Sequence, residues 1–418
     1  MKKIIAAISA LVSVLSLAAC GAVPASTTSN PQTSGAVVER KTFAPIEITG
    51  DNVLNSARVF DAMYEDNDKA MFSPLSLNMC LGMLEAGAAG SSKTALDAYL
   101  GNNDYAKFAA DYMEHAKDFT RVVDNSHSKY KDVFEIANSF WASEQRPFNE
   151  DYKKKVAENF GAEIENVDFL KSAKAAEKIN GWVNEKTREM IPTIVREDQL
   201  TDDTAAVLVN TVYFESAWSN EWSVPSEKET FTNADGSISD VELMRNRGSS
   251  YFENDNATAF SCHYKNGMLF IGILPKNKGD FTLESLDISS LLKTRTRDYD
   301  VFARMPKLNF ESGFPLTEAL QAAGLSDIFD PGKADFTPMQ GGENERFYVS
   351  EVIQKTKLEL DEEGTRAAAA TAAIMNETAE MNPEEREIKE VFLNRPFAFL
   401  IYDSAKDQIV FMGKVTGL

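Results

Sequence analysis

The sequence is poor in the residues that build disulfide frameworks and metal sites. It has three cysteines and three histidines in 418 residues. No two histidines stand at metal-ligand spacing, and neither an HExxH nor a CxxC pattern occurs. We therefore expect no metal and no other cofactor. Beyond Cys20, the pair Cys80 and Cys262 is too small for a disulfide framework, and we expect two free, mostly buried thiols.

Signatures of common catalytic machinery are also missing. The sequence has no GxSxG elbow of a serine hydrolase, no phosphate-binding P-loop and no GxGxxG dinucleotide fingerprint. A hydrolase of another kind stays open, but few residues argue for one. The sequence therefore favours a protein that is not an enzyme.

Positive charge is scarce relative to negative charge. Lysines and arginines total 43 against 64 aspartates and glutamates, which gives a formal net charge of −21. This balance argues against nucleic acid, heparin or an anionic membrane surface as partner. Apolar residues make up 43% of the chain, which is ample for a sizeable core. We expect a monomer.

The N-terminal residues predict a secretion and anchoring segment. Two lysines precede an apolar run from Ile4 to Leu17, which is too short to span a bilayer and has the layout of a signal peptide. The sequence LAAC that ends this segment resembles a bacterial lipobox. It implies that residues 1–19 are removed and that Cys20 is lipidated, which would anchor the protein at the cell surface. The alternative is a plain secretory signal with a chance cysteine. Residues 20–46 then form a flexible tether.

Residues 47–418 predict a single large domain of mixed structure. No linker, repeat or change of composition interrupts them. Helical spacing of apolar residues dominates the first half, as in SPLSLNMCLGMLEAGAAG, where Ser73-Pro74 forms a helix start. Near-continuous or alternating apolar runs dominate the second half, as in AAVLVNTVYF and VIQKTKLELD. Helices first and strands later indicate an α+β fold with one large sheet.

Nine short stretches occur in an order that resembles the serpin family, and together they span essentially all of residues 47–418. The stretches are FSPLS (Phe72–Ser76), NSFW (Asn138–Trp141), INGWVNEKT (Ile179–Thr187), LVNTVYFESAW (Leu208–Trp218), MPKLNFE (Met305–Glu311), ADFTPM (Ala334–Met339), EEGTRAAAAT (Glu362–Thr371), RPFAFLI (Arg395–Ile401) and FMGKV (Phe411–Val415). Any one of them alone would be weak evidence. Their order implies the serpin fold, which has a large central mixed sheet, smaller sheets, about nine helices and an exposed reactive loop.

The resemblance implies an inhibitor of serine proteases that acts as a suicide substrate. In the family, the target protease attacks an exposed bait bond and forms a covalent acyl-enzyme. The cleaved loop then inserts as a new strand into the central sheet and distorts the protease. By this resemblance, DEEGTRAAAATAAIMNETAEMNPEER (residues 361–386) contains the reactive loop. The alternative is a non-inhibitory serpin that acts as a surface binding protein.

The hinge of this loop, Glu362–Thr371, carries the small side chains that insertion requires. A strand that enters a packed sheet must bury its inward side chains, and extra volume there is costly. Alternation from Gly364, the flexible pivot, predicts an inward set of Thr365, Ala367, Ala369, Thr371 and Ala373. The outward set is Arg366, Ala368 and Ala370. Glu362 matches a position that pairs with a lysine in the family, but the sequence alone does not identify that lysine.

The position of the bait bond follows from the family's nearly fixed spacing between hinge and bait. With Glu362 counted as the first residue, the seventeenth is Thr378, which predicts cleavage between Thr378 and Ala379. A small β-branched residue there suits the shallow pocket of elastase-like proteases. Met375 and Met381 are alternative bait residues, suited to chymotrypsin-like or subtilisin-like proteases. The acidic stretch Glu380–Glu390 makes this part of the loop longer than in typical serpins, and it is either an exosite for a basic protease or a solvated extension.

The resemblance also implies a buried polar network beneath the central strands. The family has two serines, an asparagine and a histidine hydrogen-bonded there. Ser73, Ser76 and Asn210 match the first three, and Gln354 stands at the histidine position. A buried glutamine amide can both donate and accept, so we expect the network to persist without a histidine's pH dependence. Trp218 matches a tryptophan at the top of the sheet, where the loop enters.

Overall fold

The computed structural model describes residues 43–63, 68–101, 104–120, 131–279, 281–342, 347–365 and 386–418. All of them belong to one compact unit, Lys41–Leu418. Within these ranges no helix combines the length and the apolar character needed to cross a membrane. The predicted lipidation site Cys20, the hinge residues from Ala367 to Thr371 and the predicted bait bond Thr378–Ala379 lie outside the described residues.

Nine α-helical segments occur in the described part of the chain. They are α1 (Asn52–Met63), α2 (Pro74–Glu85), α3 (Gly90–Leu100), α4 (Tyr105–Ala116), α5 (Glu150–Phe160), α6 (Ser172–Lys186), α7 (Ile288–Lys293), α8 (Thr317–Leu320) and α9 (Ser326–Phe329). The predicted start of α2 is confirmed, because Pro74 is its first residue and the Ser73 side chain caps it by accepting a hydrogen bond from Ser76 N.

Seventeen strands accompany these helices within the same ranges. They are β1 (Lys69–Phe72), β2 (Val133–Ser143), β3 (Glu163–Val167), β4 (Ala206–Ala217), β5 (Glu229–Thr232), β6 (Ile238–Val241), β7 (Leu243–Gly248), β8 (Ser250–Glu253), β9 (Ala257–His263), β10 (Leu269–Pro275), β11 (Asp300–Pro306), β12 (Leu308–Pro315), β13 (Glu351–Leu360), β14 (Gly364–Thr365), β15 (Ile388–Phe392), β16 (Phe397–Asp403) and β17 (Gln408–Val415).

The central sheet is mixed and has the strand order β12-β13-β14-β4-β2-β3. The β13–β4 and β2–β3 pairs are parallel, and the other neighbours are antiparallel. All twelve residues of β4 are buried, because helices cover both faces of the sheet. On one face, Trp182 and Val183 of α6 pack with Val207 and Val209 in a separate apolar cluster. On the other face, β4 packs into the main core together with α2.

Three further sheets complete the described part of the fold. A six-stranded sheet has the order β1-β17-β16-β10-β9-β8, a three-stranded sheet has the order β15-β11-β7, and β5 pairs with β6. The predicted C-terminal hairpin is confirmed as β16 and β17, whose pairing shifts register between Ile401 and Tyr402. The first strand after the predicted reactive loop, β15 (Ile388–Phe392), belongs to the three-stranded sheet.

The structure confirms an α+β fold with a large mixed central sheet and corrects one detail of the predicted layout. Strands also occur in the first half of the chain, and β2 is a central strand with eleven residues. Its sequence VFEIANSFWAS has polar Asn138 and Ser139 in the middle and does not alternate, so no strand pattern marks it. Tertiary burial between β4 and β3 makes it a strand.

Candidate functional site

Two strands of the central sheet are paired at one end only. β13 pairs with β4 through four residues, Glu351–Gln354 against Val207–Asn210. At the opposite end, β14 lies between them, with Thr365 paired to Leu360 and to Ser216. The stretch between these ends, Thr211–Glu215 facing Lys355–Glu359, is called the slot below. A cleft of about 20 Å³ opens there, which is room for about one water molecule, so an inserted strand would have to part the two edges.

Thr365 occupies the inward position at the top of the slot. Its side chain is only 3% exposed, and its hydroxyl lies 2.7 Å from the hydroxyl of Tyr264. Its partners across the sheet, Leu360 and Ser216, are buried as well. Burial holds the pKa of Tyr264 well above its ordinary value, so the phenol stays neutral. The site therefore accepts a small, polar, uncharged side chain.

Trp218 fixes the chain immediately before the hinge strand. Its indole Nε1 donates to Asp361 O at 2.8 Å, and its backbone N donates to Glu363 O at 2.9 Å. The ring is 1% exposed and stacks on Tyr264 at 4.2 Å between centroids and 14° between planes. Thr365 lies against this stack, and Trp218 contacts the chain directly before the predicted hinge strand.

The structure supplies the lysine that the sequence did not identify. Lys307 Nζ lies 2.9 Å from Glu362 Oε2 and 3.4 Å from Glu242 Oε2. Burial acts to lower the pKa of Lys307, but the hydrogen bonds and charges of Glu362 and Glu242 outweigh it and the net pKa is raised. Lys307 directly precedes β12, inside the MPKLNFE stretch. Lys307 and Glu362 are 55 residues apart in the sequence, so no local spacing pattern identified them as a pair.

Gln354 connects to the start of α2 through its amide. Its Oε1 accepts from Ser73 N at 2.7 Å, and its Nε2 donates to Ser73 O at 3.1 Å and to Ser76 Oγ at 3.4 Å. The Ser73 hydroxyl donates to Val410 O at 2.6 Å. All three side chains are buried. The amide thus ties β13 both to α2 and, through Ser73, to β17.

Asn210 departs from the predicted network, because its side chain bonds to Asn138 rather than to Gln354. Asn210 Nδ2 donates to Asn138 Oδ1, and Asn138 Nδ2 donates to Phe160 O at 3.1 Å. The backbone register places Asn138, Asn210 and Gln354 in one row across β2, β4 and β13. Asn138 is a member of this row that sequence reasoning missed, although it lies in the quoted NSFW stretch.

A Gln354→Met substitution tests how much the amide holds β13 to α2. Methionine fills a similar volume but leaves Ser73 N buried without its acceptor, so the native form should lose about 1–3 kcal/mol of stability. The measurement is the urea midpoint of the uncleaved protein. Gln321→Met is the matched control, since the Gln321 side chain makes no hydrogen bond within the described residues. Equal midpoints for the two variants would contradict the role assigned to Gln354.

The two cysteines of the described residues are buried thiols. Cys80 and Cys262 are free and buried, as predicted, and burial raises the pKa of Cys80 to about 12 and also raises that of Cys262. Neither thiol is activated as a nucleophile. In the ranges that the structure describes, no three side chains of histidine, cysteine, aspartate or glutamate gather as metal ligands.

Comparisons with known families, proteins and structures agree with one another. A family model described as serpin (serine protease inhibitor) matches residues 55–418. Antithrombin-III of Mus musculus is 29% identical over 361 residues, 84% of this chain and 76% of that protein. An uncharacterized serpin-like protein of Thermococcus kodakarensis is 32% identical over 381 residues, 87% of this chain and 84% of that protein. The solved native structure of the thermophilic serpin tengpin superimposes with a TM-score of 0.75 at 28% identity, covering 90% of this chain and 97% of that one.

Proposed function

The chain belongs to the serpin family, and from this premise we propose that it inhibits serine proteases as a suicide substrate. The serine oxygen of the protease attacks the carbonyl carbon of the bait residue, the peptide bond to the next residue breaks and its nitrogen leaves as an amine, and an ester to the protease remains. The freed hinge then inserts between β13 and β4. Serpins are generally protease inhibitors rather than enzymes. Trapping requires that insertion outrun hydrolysis of the ester, and the free energy for insertion is stored in a native state held by kinetics.

The partly open central sheet is the observation that carries this proposal. Thr365 is already paired on both sides and Gly364 is paired with Ala217 of β4, and the slot ahead of them has two facing strand edges. A strand continuing from Thr365 would find backbone partners on both edges. The small side chains that follow Thr365 in the sequence suit the packed core beneath the slot.

For the target we propose a protease of elastase-like preference, cleaving between Thr378 and Ala379. The support is the family spacing from Glu362 and the small side chain of Thr378. Met375 and Met381 are the alternative bait positions. We also propose that Cys20 is lipidated and holds the inhibitor at the outer surface of a bacterial cell, as the sequence LAAC suggests.

The test is to mix the protein with an elastase-like protease and separate the products on a denaturing gel. We expect a complex stable in SDS, together with release of the peptide Ala379–Leu418, identified by its mass. A trypsin-like protease is the control and should form little complex, since no basic residue lies at the bait position. A stable complex accompanied by a released peptide of a different mass would place the bait bond at another position. Proteolysis without any complex would reject inhibition and favour a non-inhibitory surface binding protein.

A further inference from the structure

A second pocket lies beside the entry point of the hinge, outside the slot. It has a volume of about 260 Å³ and is lined by Ser219, Asn220, Asn246, Arg247, Ser249, Cys262 and His263. Every lining side chain can donate a hydrogen bond in at least one protonation state, and none is a carboxylate. In a chain with a net charge of −21, a pocket with this lining departs from the surface around it.

Much of the pocket's donor capacity is unused by the protein. Within the described residues, the Ser219 hydroxyl, the Asn220 amide and the Arg247 guanidinium make no hydrogen bond to protein atoms. The guanidinium stands 5.4 Å from the ring centroid of Phe302 and forms no ion pair with a carboxylate of those residues, although Glu221 and Glu390 line the neighbouring pocket that Arg247 also borders. Arginine's planar fork suits bidentate contact with oxyanions.

The electrostatic surroundings add to the positive character of the pocket. The pKa of His263 is lowered, first by burial and then by the charges of Arg295 and Arg297. Arg295 contacts the Ser250 hydroxyl at 3.1 Å, and its own pKa is lowered by burial and by Arg297. Burial also raises the pKa of Cys262, so that its thiol adds no negative charge. Because its pKa is lowered, His263 is neutral at pH 7 and offers one ring N–H, and a bound anion would favour its protonated form by offsetting the charges of Arg295 and Arg297.

We propose that this pocket binds a tetrahedral oxyanion with two negative charges, phosphate or sulfate, either free or as a monoester. Arg247 would hold the anion's charge, and Ser219, Asn220 and His263 would donate to its oxygens. Neutral hydroxyl and amide donors around one arginine favour a compact ion over an extended chain of charges, which distinguishes the site from a polyanion-binding surface.

A bound anion would stabilise the Trp218–Tyr264 stack that contacts the hinge. Ser219 directly follows Trp218, and His263 directly precedes Tyr264, so the pocket lies one residue from each ring of the stack. Ser219 N donates to His263 O at 2.8 Å, and Asn246 Nδ2 donates to Asn220 O at 2.8 Å. The pocket thus joins the ends of β4, β7 and β9. An anion bridging them would stabilise the closed arrangement in which Trp218 holds Asp361 and Glu363.

Calorimetric titration of the whole protein with inorganic phosphate, at constant ionic strength in chloride, tests the binding. We expect saturable binding that weakens at least about tenfold in Arg247→Gln, because one charge-assisted contact is worth more than 1.4 kcal/mol. Asn220→Asp, which puts a carboxylate into the pocket, should weaken it similarly. Arg196→Gln, at an exposed arginine paired with Asp198, is the control and should bind as wild type. Equal affinity in all four proteins would overturn the proposal.

Two further experiments identify the source of the anion and measure its effect on the hinge. Binding of glycerol phosphate as well as inorganic phosphate would assign the site to monoesters, and binding of inorganic phosphate alone would assign it to the free ion. The thermal midpoint of the native protein should rise saturably with phosphate and follow the measured Kd. We also expect complex formation with the protease to be slower in phosphate. This measurement alone rests on the proposed function, so a negative result here would not affect the binding result.

Discussion

The Thr365→Arg variant is expected to be cleaved by its target protease while forming at least about tenfold less SDS-stable complex. Thr365 is 3% exposed and hydrogen-bonded to Tyr264. The two carboxylates of the slot are already engaged, Glu215 by Tyr213 and Lys131 N and Glu359 by Lys357, and strand alternation places both on the face opposite Thr365. An unpaired charge buried there costs several kcal/mol, and each 1.4 kcal/mol is a factor of ten. Insertion would stall and the ester would hydrolyse. The ratio of complex to cleaved inhibitor, read from a denaturing gel, measures the effect.

Thr365→Ser is the matched control for this variant. Serine keeps the hydroxyl at the Tyr264 contact and reduces the volume, so complex formation should stay near the wild-type level. The far-ultraviolet circular dichroism of both variants should match that of wild type, which separates stalled insertion from a failure to fold. If Thr365→Arg forms complex in the wild-type ratio, the hinge does not pass through the slot with Thr365 facing inward.

Cleavage of the reactive loop by a non-target protease is expected to raise the thermal midpoint of the protein by about 10 °C or more. Insertion would add backbone hydrogen bonds along both edges of the slot, each contributing about 1 kcal/mol net. A total on the order of 10 kcal/mol, divided by an unfolding entropy of roughly 0.8 kcal/mol/K for a domain of this size, corresponds to a shift of about 13 °C. Differential scanning calorimetry of the intact and cleaved forms makes the comparison directly.

The Thr365→Arg variant supplies the control for this experiment. Once cleaved at the same bond, it should melt near the midpoint of the intact protein, since its loop cannot insert. An unchanged midpoint in cleaved wild type would mean that the slot does not receive the loop, and the protein would then be a non-inhibitory member of the family.

The strands that carry the site could be predicted where their residues repeat regularly. The alternation from Val352 to Leu360 matches the observed burial of β13, apart from Ile353, which is buried against α6. The unbroken apolar run in β4 likewise matches a strand covered on both faces. These patterns are local, because each residue's exposure depends on the strand's own period of two.

The partners of the site residues could not be predicted in this way. Lys307 reaches Glu362, Asn138 reaches Asn210 over 72 residues of sequence, and Tyr264 reaches Thr365 over 101 residues. None of these partners lies in a periodic pattern that points toward the other. These residues become neighbours only when the strands and sheets pack together. A single sequence does not show which distant side chains that packing brings into contact.

The pairing of Gly364 and Thr365 has a kinetic consequence. A free loop of about 20 residues seeking its place in a sheet would face a closure entropy of roughly 2–3 kcal/mol before its first contact forms. Here Gly364 and Thr365 are already paired in the uncleaved protein, so the proposed insertion would begin as propagation from an existing nucleus. Each further residue closes no new loop, and the process resembles the elongation of a helix more than its initiation. The speed of trapping would then depend on how fast the two edges of the slot separate, one residue pair at a time.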